Sequence, residues 1–395
     1  MRFMKLCEIK KVLILLTVFA LLFTFAACDM PQPKEPQPSP SAVPAEGKDD
    51  AAPGVDDNDN DPGRNSGEPV GSDNEPDTVK LLKSFYPIYT DTRLVYEGEG
   101  NEFAFFNVYT DYTGDNRIQQ RIDNGGTQSV SVIEINDGAI VQRLFRGEVY
   151  FRENLLNAEG EAGEILLKVP LAEGNSWTLS DGSTRKITDI DAEVSTPLGD
   201  FKAIEVATEG KYGTNYDYYA ENVGLVKRVF KSEGTEVTST LSKIEKDVPF
   251  VQSVNFYFPS IEDPSLLYYV SKEVAFHTND ITRMKLEREY KEAYNDCGDK
   301  AAKVFSVNTK INSLYLNRDG MVYVDLSKDY LTEMNAGAGY ESAMLQSIAN
   351  TFGQYYHVDK VLLTIDNGLY SSGHIELKKG EALEVNLEIT KSIME

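Results

Sequence analysis

Three histidines (His277, His357 and His374) and three cysteines (Cys7, Cys28 and Cys297) are the side chains of this 395-residue chain best suited to nucleophilic, acid–base or metal chemistry. Their spacing supports none of it. No histidine stands four residues from another or from a cysteine, the interval that would put two ligands on one helix face. The chain has no Gly-x-Ser-x-Gly elbow and no phosphate-cradling glycine loop; Gly337 and Gly339 sit among small residues with no lysine after them. Asp57, Asp59, Asp61 and Glu68 have the carboxylate spacing of a calcium loop, but Pro62 occupies the sharp-turn position that needs glycine. A solvated acidic stretch is the plainer reading. With 63 Asp and Glu, no single carboxylate pair stands out as an acid–base couple. His357 is expected at a helix C-terminus, where a cation meets the negative end of the dipole. The sequence is read as non-catalytic, with no metal and no cofactor.

Cys28 is the one residue with a chemical assignment. Arg2, Lys5, Lys10 and Lys11 precede an apolar run over 12–27 that ends Phe25-Ala26-Ala27-Cys28. The run is short for a membrane span and has the charged start and small-residue end of a signal peptide. The ending makes 1–28 resemble a bacterial lipoprotein signal with its lipobox, which implies lipidation of Cys28, removal of everything before that cysteine, and a place on the extracytoplasmic face of the cell membrane. Cys7 then leaves with the signal, and Cys297 is the only free thiol, so no intrachain disulfide is possible. Cys297 shares a helical stripe with Ile281, Met284, Tyr290 and Ala293, which predicts a packed core thiol. A formal net charge of −24 argues against nucleic acid as a partner and repels the folded part from anionic lipid.

Residues 29–78 read as a disordered tether. From Asp29 to Asp77 there are ten prolines, thirteen acidic residues and three basic ones, too little apolar surface to offset ordering. Residues 79–247 read as an antiparallel β domain: short alternating runs recur at even spacing, separated by turns such as Asn136-Asp137-Gly138 and Asp181-Gly182, with no convincing helix. A curved or half-barrel meander is expected, its concave side the place for an apolar ligand. Tyr212, Tyr216, Tyr218 and Tyr219 cluster here, and cross-strand packing is their ordinary role.

Residues 250–390 read as an α+β domain. Leu314, Leu316, Val322, Val324 and Leu326 alternate with Tyr315, Asn317, Tyr323 and Asp325 on either side of Asp319-Gly320. A three-residue loop, Arg318-Asp319-Gly320, keeps all five aliphatics on one face by pairing Leu316 with Val322 and Leu314 with Val324; Gly320 then takes the left-handed position. Leu345, Ile348, Phe352 and Tyr355 follow at helical spacing, with Glu341, Gln346 and Asn350 off that stripe. A strand over 361–366 comes next. Asp280 is expected to cap an earlier helix beginning at Ile281, and Gly298 to end it.

The Asp319-Gly320 turn, Val324-Asp325-Leu326-Ser327, the segment Ile348-Ala349-Asn350-Thr351-Phe352 and the following strand resemble, in order and spacing, the GerMN domain of sporulation and spore-germination proteins, over about 254–387. The resemblance implies a non-catalytic assembly or scaffold component with membrane, envelope or sporulation partners, peptidoglycan among the candidates. Tyr315, Tyr323 and Asp325, on the face opposite the aliphatics, are the expected partner-binding residues. Two other classes stay open: a lipid- or glycan-binding carrier or sensor acting through the β domain, and a cell-wall hydrolase.

Overall fold

A computed structural model describes residues 75–158 and 163–394. Cys28, the acidic 57–68 stretch and nearly all of the 29–78 segment lie outside the described residues. The first element is a helix, α1 (Asp77–Phe85), where no helix was expected. Twelve strands follow: β1 (Thr92–Glu99), β2 (Phe106–Thr113), β3 (Arg117–Asp123), β4 (Gln128–Ile135), β5 (Ala139–Gly147), β6 (Glu164–Lys168), β7 (Ser176–Thr178), β8 (Thr184–Thr196), β9 (Gly199–Gly210), β10 (Gly213–Ala220), β11 (Gly224–Ser232) and β12 (Thr235–Lys246). They form one antiparallel sheet, ordered β6-β5-β4-β3-β2-β1-β12-β11-β10-β9-β8-β7. The first and last strands pair in the middle, so the edges are the consecutive strands β6 and β7. Side chains join these edges. Trp177 Nε1 donates to the Ile165 carbonyl at 3.0 Å, and Arg185 reaches the same carbonyl and the Glu164 carboxylate, both at 2.6 Å. The expected antiparallel meander is therefore curled until its ends meet.

α1 lies inside the curl, against β4 on one half and β11 on the other. Val79 and Leu82 pack there with Ile133, Ile140, Trp177 and Val206, and Leu82 is fully buried. α1 adds to the expected antiparallel sheet an element that its alternation does not announce: the concave interior is filled by the protein's own helix. Polar fastenings are few, among them Tyr86 Oη to Gln120 Oε1 at 2.5 Å and the Asn222 amide to the Ser84 carbonyl at 2.6 Å.

The rest is mixed. β13 (Phe250–Pro259) and β14 (Leu267–Phe276) form a hairpin, with β20 (Thr390–Ser392) parallel to β14. A second sheet contains β15 (Ile311–Leu316), β16 (Val322–Leu326), β17 (Lys360–Ile365), β18 (Gly368–Leu369) and β19 (Leu383–Glu384). Helices α2 (Thr282–Ala293), α3 (Asp329–Glu333) and α4 (Ala338–Tyr356) cover it. α4 touches β13, β16, β17 and β19, so it is enclosed on more than its apolar stripe. α2 begins at Thr282 rather than Ile281, and Asp280 caps no helix; its carboxylate accepts the His277 N–H at 3.0 Å instead. Cys297 is buried as expected, its thiol pushed up to about 12 by burial. No helix among the described residues is long and apolar enough to cross a membrane.

The two sheet systems share one core. Val130, Val132 and Leu144 of the large sheet join Phe250, Phe276, Phe352 and Tyr356 in a single buried cluster, and 76–395 forms one compact unit.

Candidate interaction surface

The hairpin β15–β16 forms with the register its alternation demands. Leu316 pairs with Val322, Tyr315 with Tyr323 and Leu314 with Val324. Gly320 has φ +80°, and its N–H donates to the Asn317 carbonyl at 3.0 Å, closing the turn. Val322, Val324 and Leu326 are buried under the helices, which leaves the other face open. There, β16 pairs parallel with β17, setting Tyr323 beside Leu362. Tyr315, Tyr323 and Leu362 therefore form a row across three adjacent strands. The two tyrosine rings stack at 5.5 Å, and Tyr323 Oη donates to Asp319 Oδ2 at 2.8 Å. Tyr315 is 39% exposed, and Tyr323 and Leu362 are half-buried. Stacking holds both rings in one orientation, so an arriving partner immobilises little that is free.

Asp325 does not belong to this surface, which corrects the expectation from alternation. It is only 3% exposed. Its Oδ1 accepts from Thr364 Oγ1 at 2.6 Å and from the Asn367 N–H at 2.7 Å. Its Oδ2 accepts from Asn312 Nδ2 at 2.8 Å. Asn312 sits at the irregularity in β15, and Asp366 and Asn367 both have positive φ. Alternation gave Asp325 its face correctly; the β17–β18 turn folds over that end of the face and uses the carboxylate as its pin.

The segment 148–158, between β5 and β6, borders the tyrosine row. Glu153 is mostly buried there; its carboxylate accepts the backbone N–H of Leu316, and Arg146 lies near. Burial outweighs both and raises its pKa to about 7. Its charge is felt by Tyr315 and Tyr356. Tyr315 is thus flanked by that segment while Tyr323 and Leu362 continue the row away from it.

A buried arginine cluster ties the two sheet systems together, and no sequence pattern announced it. Arg121, Arg152 and Asp111 are all at most 1% exposed. Arg121 Nη2 donates to Asp111 Oδ2 at 3.0 Å and to the Phe151 carbonyl at 2.8 Å; Nη1 donates to the Val149 carbonyl at 2.7 Å. Arg152 stacks over Tyr112 at 4.1 Å. It donates to the carbonyls of Asp111 at 2.6 Å and His277 at 3.0 Å, to Tyr112 Oη at 2.7 Å, and to the Asp280 carbonyl. One carboxylate and a set of carbonyls from both sheet systems satisfy two buried cations.

The remaining candidates do not converge. Tyr212 is exposed, Tyr219 is in the core, and Tyr216 and Tyr218 are half-buried, so the four do not make one site. His277 Nδ1 lies 3.2 Å from Asp91 Oδ1 in a junction turn; His357 is a left-handed helix cap whose ring meets Tyr150 at 5.7 Å; His374 is elsewhere, its N–H donating to Ser372 Oγ at 3.0 Å. Among the described residues no three His, Cys, Asp or Glu side chains are grouped to hold a metal. A polar cavity of about 480 Å³ on the large sheet is lined by Arg117, Glu134 and Asn157, with Arg117 and Arg143 both bonded to Glu134 at 2.6–2.8 Å.

Comparison with known proteins agrees with the C-terminal reading. Residues 255–370 match the family model Germane, described as sporulation and spore germination, so a GerMN-related domain occupies that part of the chain. No curated protein matches. Among solved structures, the chain is similar to a protein from Bacteroides fragilis NCTC 9343 described as exported and YmcC-like in fold (13% identity, 40% of this chain and 98% of that chain, TM-score 0.27). It is similar also to a protein from Parabacteroides distasonis ATCC 8503 described as a lipoprotein (13%, 41% and 98%, TM-score 0.26). The tandem GerMN domains of the sporulation protein GerM from Bacillus subtilis are a third (17%, 34% and 46%, TM-score 0.24).

Proposed function

We propose that this protein is a non-catalytic scaffold on the extracytoplasmic face of the cell membrane, lipid-anchored at Cys28, that serves sporulation or spore germination by holding a protein partner on the open face of its Germane sheet. The observation that carries this reading is the stacked Tyr315–Tyr323 pair, continued by Leu362 across three strands. Aromatic side chains on a rigid, ladder-satisfied surface give contact area at low entropic cost, which suits recognition of a protein. The filled interior of the large sheet favours this reading over a carrier acting through that sheet.

The test is capture from detergent-solubilised sporulating cells, with peptidoglycan as a parallel bait. Replacing two anchors of about 1–2 kcal/mol each should lower capture at least tenfold in the Tyr315→Ala, Tyr323→Ala double variant. Its circular dichroism and Trp177 fluorescence should match the parent. Unchanged capture, or retention on peptidoglycan alone, would reject the reading. The anchor has its own test. Cys28→Ser should move the protein out of the lipid-modified fraction, since stable anchoring depends on the acyl chains; continued labelling by a fatty-acid probe would rule lipidation at Cys28 out.

A further inference from the structure

We infer that Tyr315 and Tyr323 form a site of oxidative modification, where a haem peroxidase using hydrogen peroxide joins the two rings by a dityrosine bond across the β15–β16 hairpin. The two residues are direct cross-strand partners, so their side chains leave the same face side by side. Their rings lie 5.5 Å apart and only 25° from parallel. Other tyrosine contacts lack that arrangement: Tyr257–Tyr269, Tyr330–Tyr370 and Tyr355–Tyr356 cross at 49°, 57° and 81°. Each of those three also has a ring in the core, whereas Tyr315 is open to an oxidant. Tyr323 adds a proton acceptor, since its hydroxyl donates to Asp319 Oδ2 at 2.8 Å. Cys297, the free thiol among the described residues, is buried, so no cysteine competes at this surface.

The chemistry uses both the stack and the carboxylate. Each phenol gives up one electron and one proton, and the two phenoxyl radicals couple through a carbon ortho to each oxygen. The ortho hydrogens then move to the oxygens, which restores both phenols. Hydrogen peroxide takes up the two electrons and two protons and leaves as two waters, so the protein loses two hydrogen atoms in all. The Tyr323 phenol is pushed above its ordinary range, first by its hydrogen bond to Asp319 and then by burial. Tyr315 is pushed the same way, first by burial and then by the charges of Asp319 and Glu153. Neither ring is therefore a phenolate at neutral pH, and each must shed its proton as it is oxidised. Desolvation opposes it, but the Met321 N–H and the Tyr323 and Asn317 side chains hold Asp319 below the usual carboxylate range. Asp319 is thus ionised and takes the Tyr323 proton along the existing hydrogen bond as the electron leaves. Coupling to Tyr315 follows without a search, because the strand register already holds the two rings together.

The full chain in detergent is treated with a plant haem peroxidase and hydrogen peroxide, then read by dityrosine fluorescence and by mass. Trypsin cuts after Lys310, Arg318 and Lys328, which puts the two tyrosines on separate peptides. Peptides 311–318 and 319–328 should therefore appear joined, two hydrogen atoms lighter than their sum, in protein that still runs as a monomer on a denaturing gel. Tyr315→Phe and Tyr323→Phe should each abolish the joined pair. Tyr212→Phe, at an exposed tyrosine outside the row, should leave its yield unchanged. Asp319→Asn keeps the shape of the turn and should slow joining at neutral pH by roughly tenfold or more. That deficit should shrink as pH rises and hydroxide replaces the carboxylate as acceptor, a dependence that a structural role for Asp319 would not produce. Absence of the joined pair, its survival in either phenylalanine variant, or dityrosine that joins separate copies instead overturns the inference. An Asp319→Asn rate equal to the parent's overturns the role given to the carboxylate. None of these readouts involves a partner, so they stand apart from the capture test.

Discussion

Asp111→Ala should destabilise the protein by about 3–5 kcal/mol, because it strands two buried guanidinium groups. Arg121 loses its contacts at 3.0 and 3.4 Å, and Arg152 loses a carboxylate oxygen 3.8 Å from its Nε. The carbonyls around both arginines remain as acceptors but carry no compensating charge. Asp111→Asn should cost nearly as much, since it keeps the shape and removes the charge. We propose that residues 79–247 and 250–390, distinct in sequence, unfold together. Arg152 binds carbonyls at Asp111 on one side and at His277 and Asp280 on the other. Trp177 fluorescence reports the large sheet, and far-ultraviolet circular dichroism is weighted towards the helices of the second part. Both should show one coincident urea transition, moved to lower denaturant in the variant. Two separated transitions, or a loss below 1 kcal/mol, would contradict this.

Stability should also fall as pH rises through the range set by Glu153. Its pKa rises from 4.5 to about 7 on folding, so the folded state holds the proton more tightly than the unfolded chain. For a raised carboxylate the stabilisation is complete below 4.5 and is lost as pH rises to about 7, for a total of roughly 3 kcal/mol. Glu134, Glu148 and Glu287 have lowered values and work in the opposite direction, losing stability only as pH falls below the ordinary carboxylate range. The difference between parent and Glu153→Gln between pH 5 and pH 8 therefore isolates Glu153. The variant should match the parent near pH 5 and exceed it at pH 8, read from urea midpoints at each pH. Parallel profiles would show that this carboxylate titrates normally. The groups facing it are the Leu316 amide, Arg146 and the phenols of Tyr315, Tyr356 and Tyr112.

The parts of the fold set by local rules were legible in the sequence. Alternation with period two, combined with what Asp319-Gly320 can do as a turn, gave the β15–β16 register residue by residue. The helical stripe of Leu345, Ile348, Phe352 and Tyr355 gave α4. What failed depended on distant partners. Glu341 and Asn350 were read as off the apolar stripe, yet both are fully buried. Asn350 is clamped by the backbone of Asn386, 2.8 Å from its N–H and 2.7 Å from its carbonyl, and no helical period reports a connecting segment arriving 36 residues later. α1 was missed because nine residues at the end of an acidic segment show only Val79, Leu82 and Phe85 at helical spacing; tertiary packing inside the sheet makes the helix. The arginine cluster was silent because Arg121 and Arg152 lie in segments where charged residues normally face water.

We propose that the open face of the β15–β17 sheet is where this protein meets its partner. The most direct measurement places a photo-crosslinking amino acid at Tyr323, at Leu362 and, as a control, at Ile190, which is exposed on the large sheet. Irradiation of sporulating cells should give the same crosslinked protein band from positions 323 and 362 and none from 190. A band from 190 with none from 323 or 362 would contradict the account.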